Sequence, residues 1–277
     1  MREIAKGVFL QEGYPGVRLG AVVADGTAVL IDSPLRLEDG REWLAEVGAR
    51  GRPRFLVLLD DHPDRVYGAR GLDLALIAQS QAREAIASWP DPLRGNSQPL
   101  GAEADRLKRV SGLARAVPHL GFEDELHLQL GPRTIELRHR PGPRPGAAWV
   151  VLPWAKVVFV GDAVWLREPP YLGEADVEAW LESLAELRGS SFSRYKIVSA
   201  RDGVVRREAL MAMAGFLRKV AHRLDRLRDR EEKPEVAGRL AMQLARSFRI
   251  PAARREQALL RLRSGLERLY GEQYAEA

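Results

Sequence analysis

The order of strand and helix patterns places this 277-residue chain in the α/β or α+β class. Two β-rich halves follow one another, and helical patterns accompany each half, which fits a four-layer αββα sandwich. The apolar and alternating segments that predict strands are 19–23, 28–31, 55–59, 74–77, 126–137, 148–152, 156–160 and 196–199. A long helical pattern from residue 206 onwards predicts a C-terminal helical extension.

Each element of the first half has its own signal. Residues 17–32 predict a β-hairpin, because apolar runs flank Asp25-Gly26, a dipeptide typical of two-residue turns. Apolar residues at helical spacing predict helices over 37–47 and 81–88. The segment 89–100 contains three prolines and predicts a loop or boundary.

The second half begins with a hairpin that turns at Gly131-Pro132. Helical spacing over 174–187 predicts a helix between the last strands. The helical C-terminal region is interrupted near Lys233-Pro234 and Ile250-Pro251, because proline removes a backbone donor and ends helices.

Composition excludes several kinds of chemistry. The chain has no cysteine, so disulfides, thiolate zinc ligands and cysteine nucleophiles are excluded. A single asparagine and the excess of arginine over lysine are typical of a thermophilic source, although a GC-rich genome gives the same bias. Charges and glycines interrupt the first twenty residues, and no long apolar run follows. We therefore expect a cytoplasmic protein without a membrane span.

The C-terminal region is basic and amphipathic. Residues 201–277 carry a net charge of +7, and the remainder carries about −2. Interleaved acidic residues favour a solvated helical face over a nucleic-acid surface, and no DNA- or RNA-reading motif accompanies the arginines. Apolar stripes at helical spacing predict docking on the parent domain or on a second subunit, so a homodimer is expected; the stripes are Leu240, Leu244, Phe248, Leu259, Leu262, Leu266 and Leu269.

The segment Asp60-Asp61-His62-Pro63-Asp64-Arg65 directly follows an apolar run. Carboxylates and imidazole are metal-binding groups, and they seldom gather at one loop for structural reasons alone. The pattern resembles the signature His-x-His-x-Asp-His of the metallo-β-lactamase superfamily. Asp60 and Arg65 stand where that signature has its first and last histidines.

Other segments carry the same resemblance in the same order. Gly20 to Asp32 resembles the opening strands of the superfamily, and Val158 to Asp162 resembles Leu-Phe-x-Gly-Asp. Pro141 to Gly146 resembles Pro-Gly-His-Thr-Pro-Gly, and Ile197 to Arg201 resembles Val-Pro-Gly-His-Gly. The resemblance implies a metallo-β-lactamase-like domain over 1–225, with a basic helical appendage over 226–277.

The resemblance also implies which residues occupy the two metal positions. One position corresponds to Asp60, His62 and Pro143, and the other to Asp64, Arg65 and Arg201, with Asp162 shared. Proline has no side-chain ligand, and arginine donates hydrogen bonds without accepting them. We therefore predict a degraded metal site in which Arg65 and Arg201 replace the metals and pair with Asp64 and Asp162.

Two functions remain open at this point. The first is a pseudoenzyme without a cofactor, in which Arg65, Arg144 and Arg201 converge on a small anionic ligand. The second is a hydrolase of an ester, lactone, thioester or phosphoester, with one Zn, Mn or Fe ion on Asp60, His62 and Asp162. In that alternative Asp64 is the catalytic residue.

Five residues near the motifs also have a structural interpretation. His62 either caps its loop or is a remnant metal ligand, and Asp32 is expected to order the loops beneath the site. Trp154, Trp165 and Tyr171 either line the pocket or fill the core.

Overall fold

Two stacked β-sheets form the centre of the molecule in the computed structural model, which describes residues 1–91, 102–106 and 114–274. The first sheet contains β1 (Arg2–Ala5), β2 (Val8–Gln11), β3 (Leu19–Ala24), β4 (Thr27–Ile31), β5 (Arg52–Val57), β6 (Ala75–Gln79) and β7 (Leu120–Phe122), in that order. The second contains β8 (Glu125–Leu130), β9 (Arg133–His139), β10 (Ala148–Leu152), β11 (Val157–Phe159), β12 (Lys196–Ser199) and β13 (Gly203–Val205), also in chain order across the sheet.

Helices cover the outer face of each sheet. They are α1 (Leu37–Gly48), α2 (Pro63–Val66), α3 (Ser80–Ser88), α4 (Val177–Arg188), α5 (Arg207–Arg228), α6 (Pro234–Arg239), α7 (Ala241–Leu244) and α8 (Arg255–Gln273). Helices α1 and α3 pack on the first sheet, and α4 to α8 share a core with the second. The four-layer αββα sandwich with a C-terminal helical extension is therefore confirmed.

The period of two along the strands explains the layers. In β4, Val29 and Ile31 face the core between the sheets, whereas Ala28 and Leu30 face the core under α1 and α3. The turn between β3 and β4 has positive φ at Asp25 (49°) and Gly26 (69°), as a two-residue hairpin turn requires. The strand pattern and the turn together set the register of this hairpin.

Most predicted elements appear with boundaries shifted by a few residues. Strand β5 ends at Val57, whereas the prediction continued it to Leu59. Beyond the end of β5, the backbone N–H of Leu58 still donates to the Ile77 carbonyl of β6. Helix α4 begins at Val177 and not at residue 174, because the Asp176 side chain accepts from the backbone N–H of Ala179 and caps it there. The predicted loop over 89–100 lies mostly outside the described residues.

The C-terminal helices are part of the molecule's own core. Leu262, Leu266 and Leu269 of α8 are buried in one cluster with residues of the second sheet. A Cβ atom on Gly265 would lie 2.6 Å from the backbone nitrogen of Leu172, so α8 approaches the sandwich closely. The apolar stripe is thus covered within the chain, and the homodimer stays a prediction.

Two further sequence predictions concern the domain boundary and membrane spans. Helix α5 runs without a break through residue 225, where the domain boundary was predicted. Across the described ranges, no helix has the length and apolar character that a membrane span requires.

Candidate functional site

The candidate site lies where parallel strand pairs end at the same edge of each sheet. In the first sheet β4 and β5 run parallel, so Asp32 and Asp60, which follow them, come together. In the second sheet β11 and β12 run parallel, and Asp162 and Arg201 follow these strands. We call Asp32, Asp60, Asp64, Arg65, Asp162 and Arg201 the ionic cluster.

Arg65 is the central cation of the ionic cluster. Its Nη1 atom donates to Asp162 Oδ1 at 2.6 Å, and its Nη2 atom donates to Asp60 Oδ2. Its Nε atom lies 3.3 Å from Asp32 Oδ2. The Arg65 side chain is 0% exposed. Three carboxylates from both sheets therefore surround one buried guanidinium.

Arg201 closes the cluster from the other side. Its Nε and Nη2 atoms donate to the two oxygens of Asp162 at 2.9 and 3.2 Å, a bidentate arrangement. Its Nη1 atom donates to Asp64 Oδ2 at 2.9 Å and to the Gly16 carbonyl at 2.8 Å. Asp64 also accepts from the backbone N–H groups of residues 103 and 104.

Three of the ion pairs expected from the sequence are present as contacts: Arg65 with Asp162, and Arg201 with both Asp64 and Asp162. The remaining partners of Arg65 are Asp60 and Asp32, not Asp64. Sequence reasoning left Asp60 without a defined partner. The sequence does contain a signal for this pair, because Asp60 and Arg65 lie on the same loop, five residues apart.

His62 has a structural role in its loop. Its Nδ1 atom accepts from the backbone N–H of Asp64 at 3.1 Å, which makes it the N-cap of α2. Its own backbone N–H donates to Asp60 Oδ1 at 2.8 Å. Burial lowers the pKa of His62 well below its ordinary value, and the charge of Arg201 lowers it further. His62 is therefore a neutral cap at pH 7.

Burial and ion pairing oppose each other in the cluster. Burial favours the neutral form of Asp162, but Arg201 and Arg65 hold the pKa of Asp162 well below its ordinary value. The charge of Asp32 is compensated less, because of the two arginines in the cluster only Arg65 opposes the effect of burial there. Burial raises the pKa of Asp32 to about 7, although Arg65 lowers it. Protonation of Asp32 reduces the excess of four carboxylates over two guanidiniums.

Arg144 belongs to a second ionic network at the edge of the cluster. Its Nη1 atom donates to Asp61 Oδ2 at 2.7 Å and also to Glu174. Arg268 of α8 donates from Nη1 to Glu174 Oε1 at 2.7 Å. Burial raises the pKa of Asp61 to about 6, against the effect of Arg144. This network ties the loop before β10 to the C-terminal helix.

The predicted remnant metal ligands do not fit a metal ion in this arrangement. Asp60 Oδ2 and Asp162 Oδ1 both accept from Arg65, and His62 Nδ1 accepts from a backbone N–H. A cation would have to displace a buried guanidinium that is itself positively charged. Within the described residues, no group of three His, Asp or Glu side chains is arranged to hold a metal.

A cavity of about 230 Å³ opens beside Arg201. We call it the arginine pocket. Its lining contains five arginines and two carboxylates; the lining residues are Gly16, Arg18, Trp165, Arg167, Glu168, Arg201, Asp202, Pro251, Arg254 and Arg261. Of the predicted anion-binding residues only Arg201 lines it; Arg65 lies in the ionic cluster and Arg144 in the network with Asp61 and Glu174, so the three arginines do not converge on one pocket.

Trp165 forms part of the wall of the arginine pocket. The guanidinium carbons of Arg201 and Arg261 lie 4.7 and 4.9 Å from its ring centroid. Its buried indole N–H has no hydrogen-bond partner among the residues that the structure describes. Trp154 and Tyr171, the other predicted aromatics, do not line this pocket.

Comparison with protein families identifies the fold's relatives. The family model described as metallo-beta-lactamase superfamily matches residues 18–194. The chain belongs to this superfamily. The matched range includes Asp32, Asp60 and Asp162 but ends before Arg201 and the C-terminal helices. Comparison with curated protein sequences found no match.

Solved structures support the same fold. The chain is similar to a metallo-beta-lactamase from Pontibacter korlensis, with 18% identity and a TM-score of 0.61 over 78% of this chain and 97% of that one. It is also similar to the sec-alkylsulfatase Pisa1 from Pseudomonas sp., with 16% identity and a TM-score of 0.68. That match covers 99% of this chain and 50% of the other, so the C-terminal helices are included.

Proposed function

We propose that this superfamily member binds a small anionic ligand without a metal ion and without hydrolysing it. The observation that carries the proposal is the position of Arg65, whose guanidinium contacts Asp32, Asp60 and Asp162 at full burial. Two of these neighbours, Asp60 and Asp162, are residues that the superfamily resemblance implies as metal-site positions. A cation of the protein supplies the charge that a metal would supply there.

The chemistry of the cluster supports binding more than catalysis. General base catalysis needs a group with an available lone pair and a pKa near the working pH. The Asp162 oxygens accept three guanidinium hydrogen bonds, and its pKa is well below the ordinary range. Asp64, the candidate catalytic residue, accepts from Arg201 and from two backbone N–H groups. Neither of these carboxylates is placed to activate water, and Asp32, whose pKa burial raises to about 7, is 1% exposed and lies 3.3 Å from Arg65 Nε.

Elemental analysis of tag-free protein tests the first half of the proposal. Mass spectrometry of wild type and of the His62→Ala variant measures metal content per chain, and both are expected to hold far less than one equivalent. Turnover is then measured on an ester, a lactone, a thioester and a phosphoester, with added Zn, Mn or Fe. About one tightly held metal in wild type that the variant lacks, together with turnover, would establish the single-metal hydrolase instead.

Thermal unfolding in a panel of anions tests the second half. A ligand that binds only the folded protein stabilises it by an amount that grows with its concentration. Phosphate, sulfate, acetate and succinate are compared at equal ionic strength, with chloride as the control. At least one is expected to raise the midpoint of unfolding above the chloride value. Equal midpoints in all five salts would contradict anion binding.

A further inference from the structure

The C-terminal helix brings its own cations to the arginine pocket. Arg254 precedes α8, Arg261 lies on it, and both line the pocket beside Arg201 of the sandwich. The pocket wall therefore joins residues that lie far apart in the chain. The docking of α8, which the close approach at Gly265 makes tight, holds these groups in place.

The lining of the pocket holds more cations than anions. It has five arginines and two carboxylates, although Arg254 also pairs with Glu103, and Arg201 with Asp64 and Asp162, outside the lining. Glu168 accepts from Arg254 Nε at 2.9 Å and from Arg261 Nη1 at 3.0 Å, so one carboxylate serves two cations. Asp202 Oδ1 lies 3.8 Å from Arg167 Nε, and the Arg167 side chain is 71% exposed.

Burial disfavours the charged form of two of these arginines. Burial lowers the pKa of Arg261, and the charge of Arg201 lowers it further. Burial also lowers the pKa of Arg254. An anion in the pocket would stabilise the charged form of both side chains. The unpartnered indole N–H of Trp165 is a neutral donor on the same wall.

We propose that the arginine pocket binds a small phosphate monoester, with Arg254 and Arg261 from the C-terminal region as recognition residues and Trp165 as an additional donor. This proposal rests on the proposed function, since it names the anion that the metal-free protein would bind. Guanidinium groups match phosphate oxygens in geometry, and a wall lined by five arginines attracts a dianion more strongly than a monoanion. The cavity is smaller than the roughly 300–1,000 Å³ typical of drug-sized ligands, so the organic group is small.

Calorimetric titration with methyl phosphate tests the proposal, and methyl sulfate is the comparison of similar shape with one charge fewer. Wild type is expected to bind methyl phosphate at least about tenfold more tightly, because a second charge strengthens each guanidinium hydrogen bond. Equal affinity for the two esters, or no measurable binding of methyl phosphate, would overturn the phosphate assignment.

Arg254→Gln tests the contribution of the C-terminal region, and Arg140→Gln is its matched control. Both arginine side chains are 25% exposed, and each contacts a glutamate through two nitrogens, Glu186 for Arg140 and Glu168 for Arg254; Arg254 also donates from Nη1 to Glu103. Of these two arginines, Arg254 lines the arginine pocket and Arg140 does not. Arg254→Gln is expected to weaken methyl phosphate binding about tenfold, and Arg140→Gln to leave it unchanged within about twofold. Equal effects in the two variants would contradict the role of Arg254.

Trp165→Phe keeps an aromatic ring and removes only the indole N–H. Trp154→Phe is the matched control, because Trp154 also has a buried indole N–H without a partner in the described ranges and an arginine 4.3 Å above its ring. We expect Trp165→Phe to weaken binding about threefold and Trp154→Phe to have no effect. No difference between these variants would remove Trp165 from the site.

The result can be separated from failure of the proposed function. Elemental analysis and turnover are measured on the same preparations. A metal-free, inactive protein that binds succinate but not methyl phosphate would overturn only the phosphate assignment. A metal-loaded protein that hydrolyses methyl phosphate would overturn the proposed function itself.

Discussion

The ionic cluster and the arginine pocket use the same cation in opposite ways. In the cluster, Arg65 is fully buried and contacts three carboxylates. In the pocket, Arg167 is 71% exposed and its nearest carboxylate oxygen lies 3.8 Å away. Arg201 belongs to both regions, because its side chain pairs with Asp64 and Asp162 and also lines the cavity.

The difference between the regions is their supply of carboxylates. Four aspartates face two arginines in the cluster, so its cations are held by groups of the protein itself. In the pocket, Arg254 and Arg261 share Glu168, and Arg167 lies 3.8 Å from Asp202, so these cations are held less closely than Arg65. An arginine therefore acts as a structural ion or as a recognition group according to its partners, and its burial alone does not distinguish these roles.

The largest expected effect comes from removing the central cation. Arg65→Gln leaves buried carboxylates without their partner, so we expect the free energy of unfolding to fall by about 3–5 kcal/mol. Urea denaturation followed by circular dichroism measures this. Arg2→Gln is the control, because Arg2 and Glu12 form an exposed pair, and its expected cost is under about 1 kcal/mol. Similar losses in both variants would mean that the cluster does not stabilise the fold.

Replacing Arg65 and Arg201 by histidine should change which cation the ionic cluster holds. In Arg65→His/Arg201→His the carboxylates lose both guanidiniums, and two imidazoles become available as ligands. We expect metal content to rise from far below stoichiometric to about one equivalent per chain, as measured by elemental mass spectrometry. Arg138→His/Arg140→His adds the same ligands outside the cluster and should bind no metal. Equal content in both double variants would contradict this expectation.

The pH dependence of stability should report on Asp61, which pairs with Arg144 at the edge of the ionic cluster. Burial raises the pKa of Asp61 from its ordinary value of 3.8 to about 6 in the folded protein, so the folded state binds more protons between these values. The contribution of Asp61 to the free energy of unfolding therefore falls as pH rises from about 4 to 6. Asp61→Asn should remove about 2–3 kcal/mol of this fall.

Urea denaturation at several pH values measures the effect of Asp61→Asn. The exposed Asp73 provides a control, because Asp73→Asn removes one carboxylate from the surface. Parallel profiles for wild type and Asp61→Asn would show that Asp61 does not take up the proton.

The smallest expected effect lies at the rim of the pocket. Arg167→Gln removes a largely exposed cation with a long contact to Asp202, so the free energy of unfolding should change by less than about 0.5 kcal/mol. Urea denaturation measures this, with Arg65→Gln as the contrasting variant. A loss above about 1 kcal/mol would place Arg167 with the structural cations and weaken the distinction between the regions.

Short-range sequence patterns predicted most of the fold and the part of the site that contains Asp162 and Arg201. The Asp25-Gly26 turn and the alternation in β4 are short-range signals, and both appear where the sequence predicted them. Asp162 and Arg201 could be brought together because each follows a strand in a recognisable motif. The superfamily resemblance supplied the order of those strands.

The other half of the site could not be found in this way. Arg254 and Arg261 lie in a basic helical region whose arginines are indistinguishable by spacing. Their place beside Arg201 depends on how α8 docks, which is a long-range packing event around Leu262 and Leu266. The role of His62 as a cap was also undecided, because capping and ligation use the same ring nitrogens.

The contacts of Arg65 also have a consequence for the way the molecule opens. Arg65 and Asp162 are 97 residues apart, and their ion pair joins the two sheets in a chain that has no cysteine. Separating the halves would break two buried ion pairs, Arg65 with Asp162 and Arg201 with Asp64. These pairs therefore act as reversible cross-links, and they make partial opening between the halves costly, so the two sheets should come apart in a single cooperative event.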